Sequence, residues 1–194
     1  IGVETFYGRI TGSYRVIDAL STLAFDYPRR SPFFTRELEQ FLILAWESGK
    51  DPLALKGSYA GAMGYGQFMP SSYRAYARSF EPGGVPDIWD NPADAISSVG
   101  HYLKAHGWQT GEQVVLDAIA NQPLDSLFAA GLKPAQSIDA LAQAGLSTDI
   151  DVDPNTQVTP ITLETTDGQR YWLGLQNFYV ITRYNHSAMY AMAV

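Results

Sequence analysis

The sequence predicts an α+β fold, mainly helical, with a small antiparallel β-sheet inserted late in the chain and a short helix after it. Three observations carry this. Residues 13–104 repeat apolar side chains at helical spacing between Pro- and Gly-rich turns. Residues 113–182 change to alternating and β-branched runs around an Asp167-Gly168 turn signal. Residues 186–194 return to Ala- and Met-rich helix character. A chain of 194 residues can bury a substantial core, so one domain with an excursion is the default reading.

The elements follow in order. Val16, Ile17, Leu20 and Leu23 mark a first amphipathic helix over 13–23. Pro28 and Pro32 punctuate the loop after it. Phe34, Leu38, Phe41, Leu42 and Ala45 mark a second helix over 33–46, stopped near Gly49. A helix starts just after Pro70, and residues 81–86 form a turn cluster. Asn91-Pro92 supplies a cap and a first-turn proline for a helix running to Lys104. Residues 113–119 alternate weakly, 137–146 read as a short helix, and 159–165 alternate as a strand should. Residues 178–183 are a β-branched and aromatic run, read as the last part of the β-rich insertion.

Composition removes several functions. Net charge is −7 with no basic run, which argues against nucleic acid as a partner. With no cysteine there are no disulfides, thiol nucleophiles or thiolate metal sites. No apolar run reaches the eighteen residues or so that a membrane span needs. The start has no basic n-region followed by an apolar stretch, so an export signal is expected upstream of Ile1. Twelve tyrosines, nine phenylalanines and four tryptophans suit a core, and also a groove that stacks sugar rings.

Two features carry chemistry. Glu4 sits among Ile1, Val3 and Phe6. An apolar setting favours the neutral acid form that a general acid needs. By periodicity alone, a surface glutamate on an amphipathic turn is the commoner reading. Residues Lys56-Gly-Ser-Tyr-Ala-Gly-Ala-Met-Gly-Tyr-Gly-Gln-Phe-Met-Pro70 place four glycines within ten residues around Ser58 and Gln67. Such a run permits tight turns and close approach of a polymer to the backbone, or is simply a structural turn before a helix. It is not a phosphate loop, because no Gly-Lys-Ser/Thr follows.

These residues are where a family resemblance emerges. Ile1-Gly-Val-Glu-Thr5, the 56–73 segment, Ile88-Trp-Asp90, Tyr102-Leu-Lys-Ala-His-Gly-Trp108 and Asn177-Phe-Tyr-Val-Ile-Thr-Arg-Tyr-Asn-His-Ser187 closely resemble the membrane-bound lytic transglycosylase B family of bacterial murein enzymes. The resemblance runs along nearly the whole chain. It implies a lysozyme-like catalytic core over 1–111, a small β-rich insertion over 112–182, and a return segment over 183–194 that completes the groove and a helical domain. It implies further a helical segment before the glutamate, expected upstream of Ile1.

The resemblance makes Glu4 the general acid and then base. It sets Ser58, Gln67, Tyr102, Tyr184, Asn185 and Tyr190 along a glycan groove, with the tyrosines supplying stacking surface. Relatives carry an EF-hand-like calcium loop where this chain has residues 79–90. Here Ser79 and Gly83 stand at donor positions and Pro82 and Pro86 interrupt, leaving Glu81, Asp87 and Asp90 as oxygen donors. The expectation is a degraded loop and no metal. His101, His106 and His186 lack zinc-ligand spacing and read as packing or surface residues.

The activity implied is cleavage of the β-1,4 bond from N-acetylmuramic acid to N-acetylglucosamine, ending in a 1,6-anhydromuramic acid. Ordinary glycosidases flank the bond with two carboxylates, and no second one stands out near 56–70. No cofactor is expected. The expected partners are peptidoglycan strands and other cell-wall enzymes. The chain is expected to be a monomer in the periplasm, anchored to the outer membrane through an upstream segment. Two alternatives stay open: a hydrolytic lysozyme-like muramidase, and a non-catalytic peptidoglycan-binding fragment.

Overall fold

A computed structural model describes residues 1–121, 127–129 and 131–194. The fold is mixed α+β, and the chain divides into two compact units, Ile1–Ala105 and His106–Val194.

The first unit is helical. Helix α1 spans Gly2–Thr5, α2 Val16–Asp26, α3 Ser31–Ser48, α4 Pro70–Tyr76 and α5 Pro92–Ala105. Val16, Ala19, Leu20 and Ala24 are the buried stripe of α2, a spacing of three and four that only a helix brings to one face. Phe34, Phe41, Leu44 and Ala45 do the same for α3. That helix stops at Gly49, whose left-handed φ of 65° closes the last turn, with the Lys50 amide donating to the Ala45 carbonyl at 3.0 Å. Helix α5 starts as the Asn-Pro signal predicts: Asn91 Oδ1 accepts from the Ala93 amide at 3.0 Å and the Asp94 amide at 3.4 Å.

Two short strands tie the start of the chain to its glycine-rich segment. Strand β1 (Tyr14–Arg15) pairs antiparallel with β2 (Lys56–Gly57), Tyr14 facing Gly57. The far end of that segment is fixed by a residue with no sequence signal. Glu37 on α3 is buried, and its carboxylate accepts the Ser71 amide at 2.9 Å and the Ser71 hydroxyl at 2.7 Å. Both donors lie in the first turn of α4, where an anion satisfies an orphan amide and favours the helix dipole.

Among the described residues, the second unit is a five-stranded antiparallel sheet with helices on both faces. Its strands are β3 (Val115–Ala120), β4 (Gln136–Ser137), β5 (Leu146–Ser147), β6 (Gln157–Thr165) and β7 (Gly168–Gly174), in the spatial order β4-β6-β7-β3-β5. Period-two alternation gives each face its own core. Leu116, Val158 and Leu173 point to one face, packed with Ile138, Leu141 and Leu146, of which Ile138 and Leu141 come from helix α6 (Ile138–Gln143). Ile161 and Trp172 point to the other, packed with Phe178, Ile181 and Ala191 of helices α7 (Gln176–Tyr184) and α8 (Ala188–Ala193). The hairpin turn lies one residue earlier than expected. Thr165 faces Gly168, so Thr166 and Asp167 form the loop and Gly168, at φ 112°, follows it.

Residues 178–183 correct the sequence reading: they are helix, not strand. Phe178, Ile181 and Thr182 are buried at helical spacing, so packing overrides the β propensity of Val, Ile and Thr. Asn177 anchors the helix start. It is buried, its amide nitrogen donates to the carbonyls of Gln109 (2.8 Å) and Glu112 (2.9 Å), and its oxygen accepts the Gln109 amide at 2.8 Å. An Asn spent on three backbone groups locks 176–184 against the 109–112 loop.

Candidate active site

The first unit gathers its chemistry where α1 meets the glycine-rich segment. Glu4 lies on α1, half-buried, and no described residue hydrogen-bonds its carboxylate. Its neighbour Thr5 does the anchoring. The buried Thr5 hydroxyl reaches the Tyr65 carbonyl at 2.9 Å and the Ile1 carbonyl at 3.0 Å, and accepts the Gly8 amide at 3.0 Å. Thus the residue beside Glu4 is tied to the glycine-rich segment, and Glu4 itself is left with a free carboxylate.

The chain then turns back through three left-handed residues, Phe6 (φ 49°), Tyr7 (φ 59°) and Gly8 (φ 87°). A left-handed residue other than Gly costs roughly 1–2 kcal/mol, so two aromatic ones in a row are strain stored beside the acid. Gly8 is obligatory, since a Cβ there would stand 1.4 Å from the Tyr65 ring. Both strained aromatics are exposed, Phe6 at 64% and Tyr7 at 83%.

Ser58 and Gln67 occupy opposite ends of the glycine-rich turns and present complementary chemistry. Ser58 Oγ accepts the amides of Ala60 (3.2 Å) and Ala62 (3.1 Å), leaving its O–H proton as a donor. Gln67, in a left-handed conformation at φ 51°, donates its amide to the carbonyls of Gly64 (2.9 Å) and Thr11 (3.1 Å). Both amide protons are thereby used, and Oε1 remains as an acceptor. Toward a ligand, Gln67 can therefore only accept. Tyr102 on α5 is 8% exposed, its ring set against Phe68 (centroids 6.0 Å apart) and Tyr76 (4.9 Å). It offers no stacking face, so that part of its expected role is corrected: its ring belongs to the core.

Tyr184, Asn185 and Tyr190 belong to the second unit. Tyr184 ends α7, Asn185 is its exposed cap residue, and Tyr190 packs into the α7–α8 core. Ser187 caps α8 by accepting the Tyr190 amide at 3.2 Å.

The 79–90 loop does not fit a calcium ion. Among the described residues no three acidic or histidine side chains converge on a common point. Glu81 and Asp90 are exposed. Asp87 is committed to its own turn, Oδ1 accepting the amides of Trp89 (3.0 Å) and Asp90 (3.2 Å), with Lys50 Nζ 3.9 Å from Oδ2. An internal anion holds the loop instead. Asp94 is 2% exposed and accepts the amides of Phe80 and Asp87, each at 2.8 Å, and the Ser79 hydroxyl at 3.4 Å. Burial by itself would raise the Asp94 pKa, but the hydrogen bonds from Phe80, Asp87 and Ser79 outweigh it and hold the carboxyl below its ordinary value. Tyr73 adds a strut by donating its hydroxyl to the Pro86 carbonyl at 2.6 Å. Burial, then the charges of Asp87 and Asp94, push that phenol up to about 12, so it stays a donor at any working pH.

The loop therefore should be indifferent to chelators and sensitive to acid. A depressed carboxyl pKa stabilises fully above the unfolded value of roughly 4, and the contribution disappears as pH falls through the lower folded value. The expected result is an unchanged melting temperature with chelator or added calcium. Below about pH 4 the midpoint should decline, with a shallower slope in Asp94→Asn. A calcium-dependent rise of several degrees would show that the donors rearrange around a cation.

Comparison with known proteins gives a consistent result. A family model described as "Transglycosylase SLT domain" matches residues 1–194. The chain is 52% identical over its full length to membrane-bound lytic murein transglycosylase B of Escherichia coli, and covers 53% of that protein. Soluble lytic transglycosylase SltB1 of Pseudomonas aeruginosa, solved as a catenated form, superposes with a TM-score of 0.94 at 55% identity, covering 99% of this chain and 64% of that one. SltB3 of the same organism, in complex with NAG-NAM-pentapeptide, gives a TM-score of 0.83 at 32% identity over 99% of this chain and 52% of its own. The chain thus spans about half the length of the curated relative and under two-thirds of these solved structures.

Proposed function

Since the chain belongs to the transglycosylase SLT domain family, we propose that it is a lytic transglycosylase: it cleaves the bond from N-acetylmuramic acid to N-acetylglucosamine in peptidoglycan and leaves a 1,6-anhydro end. The observation that carries this reading is Glu4, a half-buried acid without a hydrogen-bond partner, held against the glycine-rich turns through Thr5 and Tyr65. A carboxylic acid free of internal partners is what proton delivery to a glycosidic oxygen requires. Neither 5–17 nor 52–80 contains an Asp or Glu, so no second carboxylate is supplied by the segments that frame it.

In this mechanism Glu4 protonates the leaving oxygen. Charge developing at the sugar is met by the substrate's own N-acetyl group or by backbone dipoles of the turns. Glu4, now a carboxylate, then takes the proton from the 6-hydroxyl of the same sugar as that oxygen attacks the anomeric carbon. The nucleophile is already tethered, so little orientational entropy opposes closure. The Ser58 O–H and Gln67 Oε1 suit the carbonyl and N–H of an N-acetyl group respectively. The exposed rings of Phe6 and Tyr7 offer the stacking faces that Tyr102 does not.

A peptidoglycan substrate and the similarity to a protein named membrane-bound both support a location in the cell envelope. No helix among the described residues is long and apolar enough to cross a membrane. Glycan contact by Tyr184, Asn185 and Tyr190, the outer-membrane anchor and association with other cell-wall enzymes are part of this proposal.

Product analysis tests it. Digested murein should carry muramic acid ends lighter by one water than hydrolysed ends, as read by mass spectrometry. Mostly reducing muramic acid ends would replace this reading with the hydrolytic muramidase, whose water needs a base that two-carboxylate enzymes provide. Glycan binding without any product would favour the non-catalytic module.

A further inference from the structure

Glu37 on α3 is a buried acid that the proposed reaction does not use. It is 5% exposed and shares the inward stripe of its helix with Phe34, Phe41, Leu44 and Ala45. Packing alone gives no reason for a carboxylate there, and burying one is costly unless its oxygens are satisfied. Among the described residues no cation pairs with it. Both oxygens are spent instead on one residue. Oε2 accepts the Ser71 amide at 2.9 Å and Oε1 accepts the Ser71 hydroxyl at 2.7 Å.

Ser71 stands three residues beyond the end of a small ladder. Tyr14 faces Gly57, Gly57 faces Met63, and Met63 faces Phe68. Met63 and Phe68 exchange both backbone hydrogen bonds, at 2.8 and 3.0 Å, and both are buried. The two polar residues proposed to meet an N-acetyl group flank this ladder: Ser58 follows Gly57, and Gln67 precedes Phe68. The Ser58 end is held by the pairing of β2 with β1. The Gln67 end carries strain, because φ at Gln67 is 51°. A left-handed residue other than glycine persists only where its surroundings over-determine it.

Resting on the proposed function, we propose that Glu37 is a positioning residue for glycan recognition. It touches no reacting atom. From α3 it clamps the exit of the glycine-rich segment through Ser71. The clamp keeps Gln67 left-handed, with Oε1 left to accept the N–H of an N-acetyl group. Without it, residues 69–71 can shift and Gln67 can relax to an ordinary backbone conformation. Its side chain then leaves the carbonyls of Gly64 and Thr11 that orient it.

A double-mutant cycle in the full chain tests this. Glu37→Leu should raise KM for glycan strands about tenfold with kcat within about twofold. In a Gln67→Ala background the same change should move KM less than about twofold, since the residue it positions is gone. Glu37→Gln should stay within about threefold of the starting protein: its Oε1 can accept the Ser71 amide and its Nε2 can donate to the Ser71 oxygen. An unchanged KM in Glu37→Leu, an equal rise in both backgrounds, or a loss confined to kcat would overturn the assignment. Should Glu37→Leu fail to fold, Ser71→Ala decides, because it removes only the hydroxyl. A KM rise of about threefold that vanishes with Gln67→Ala supports the clamp, and no rise, or one that persists, overturns it. Calorimetry with intact glycan strands separates this role from the reaction. Should no strand be cleaved, the same non-additive loss of affinity would support Glu37 and count only against the transglycosylase reading. Additive losses would count against Glu37.

Discussion

Glu4→Gln is expected to lower turnover of murein by about 10²–10⁴-fold or more while glycan affinity stays within a small factor. The amide keeps the size and planarity of the acid, so the half-buried niche at the end of α1 is still filled. What it loses is the proton. Because no described residue hydrogen-bonds the Glu4 carboxylate, the substitution breaks no internal contact, and the melting temperature should not move. That combination separates a chemical role from a structural one. The measurements are anhydro-end production by mass spectrometry, glycan binding by calorimetry, and a thermal melt. Turnover within about tenfold of the unsubstituted protein would remove Glu4 from the mechanism. A large fall in the melting temperature would instead make Glu4 a folding residue.

The outline of the fold was legible because helices and strands of this chain mostly follow their own periodicity. The α2 stripe, the Gly49 stop and the Asn91-Pro92 start appear in the structure where apolar spacing and cap chemistry put them. Residues 178–183 misled because local propensity and tertiary burial disagree there, and a single sequence displays only the first. The candidate site was legible through the resemblance and the glycine run, not through Glu4 itself, which looks like any glutamate on a short amphipathic turn. The supporting residues were invisible for one reason. Thr5, Glu37, Asp94 and Asn177 work through contacts across long stretches of chain, or through backbone groups whose positions no residue pattern records. Tyr102 shows the reverse case: residue type allows a stacking role, and packing against Phe68 and Tyr76 takes up its ring.

Gly64→Ala should be the most damaging small substitution in the glycine-rich segment, because it acts on the same path that positions Glu4. Gly64 has φ 65°, and a Cβ there would stand 2.4 Å from the Ile88 carbonyl oxygen. Backbone, unlike the end of a long side chain, cannot swing away. That carbonyl also accepts the Tyr65 amide at 2.9 Å, and the Tyr65 carbonyl in turn receives the Thr5 hydroxyl beside Glu4. Relieving the collision therefore moves Tyr65 and loosens Thr5. Left-handed strain of roughly 1–2 kcal/mol plus loss of a hydrogen bond of about 1 kcal/mol is the minimum cost. For a chain of this size that lowers the melting temperature by about 4–12 °C. Turnover should fall further than stability explains, even at temperatures where the variant is folded. Gly83→Ala is the internal control. Its φ of 77° imposes a similar conformational strain, but a Cβ at Gly83 would meet nothing within 4 Å. It should lose only the strain component and keep full turnover. If Gly64→Ala instead melts and turns over like Gly83→Ala, the Ile88–Tyr65–Thr5 path does not hold Glu4, and the acid must be positioned by α1 alone.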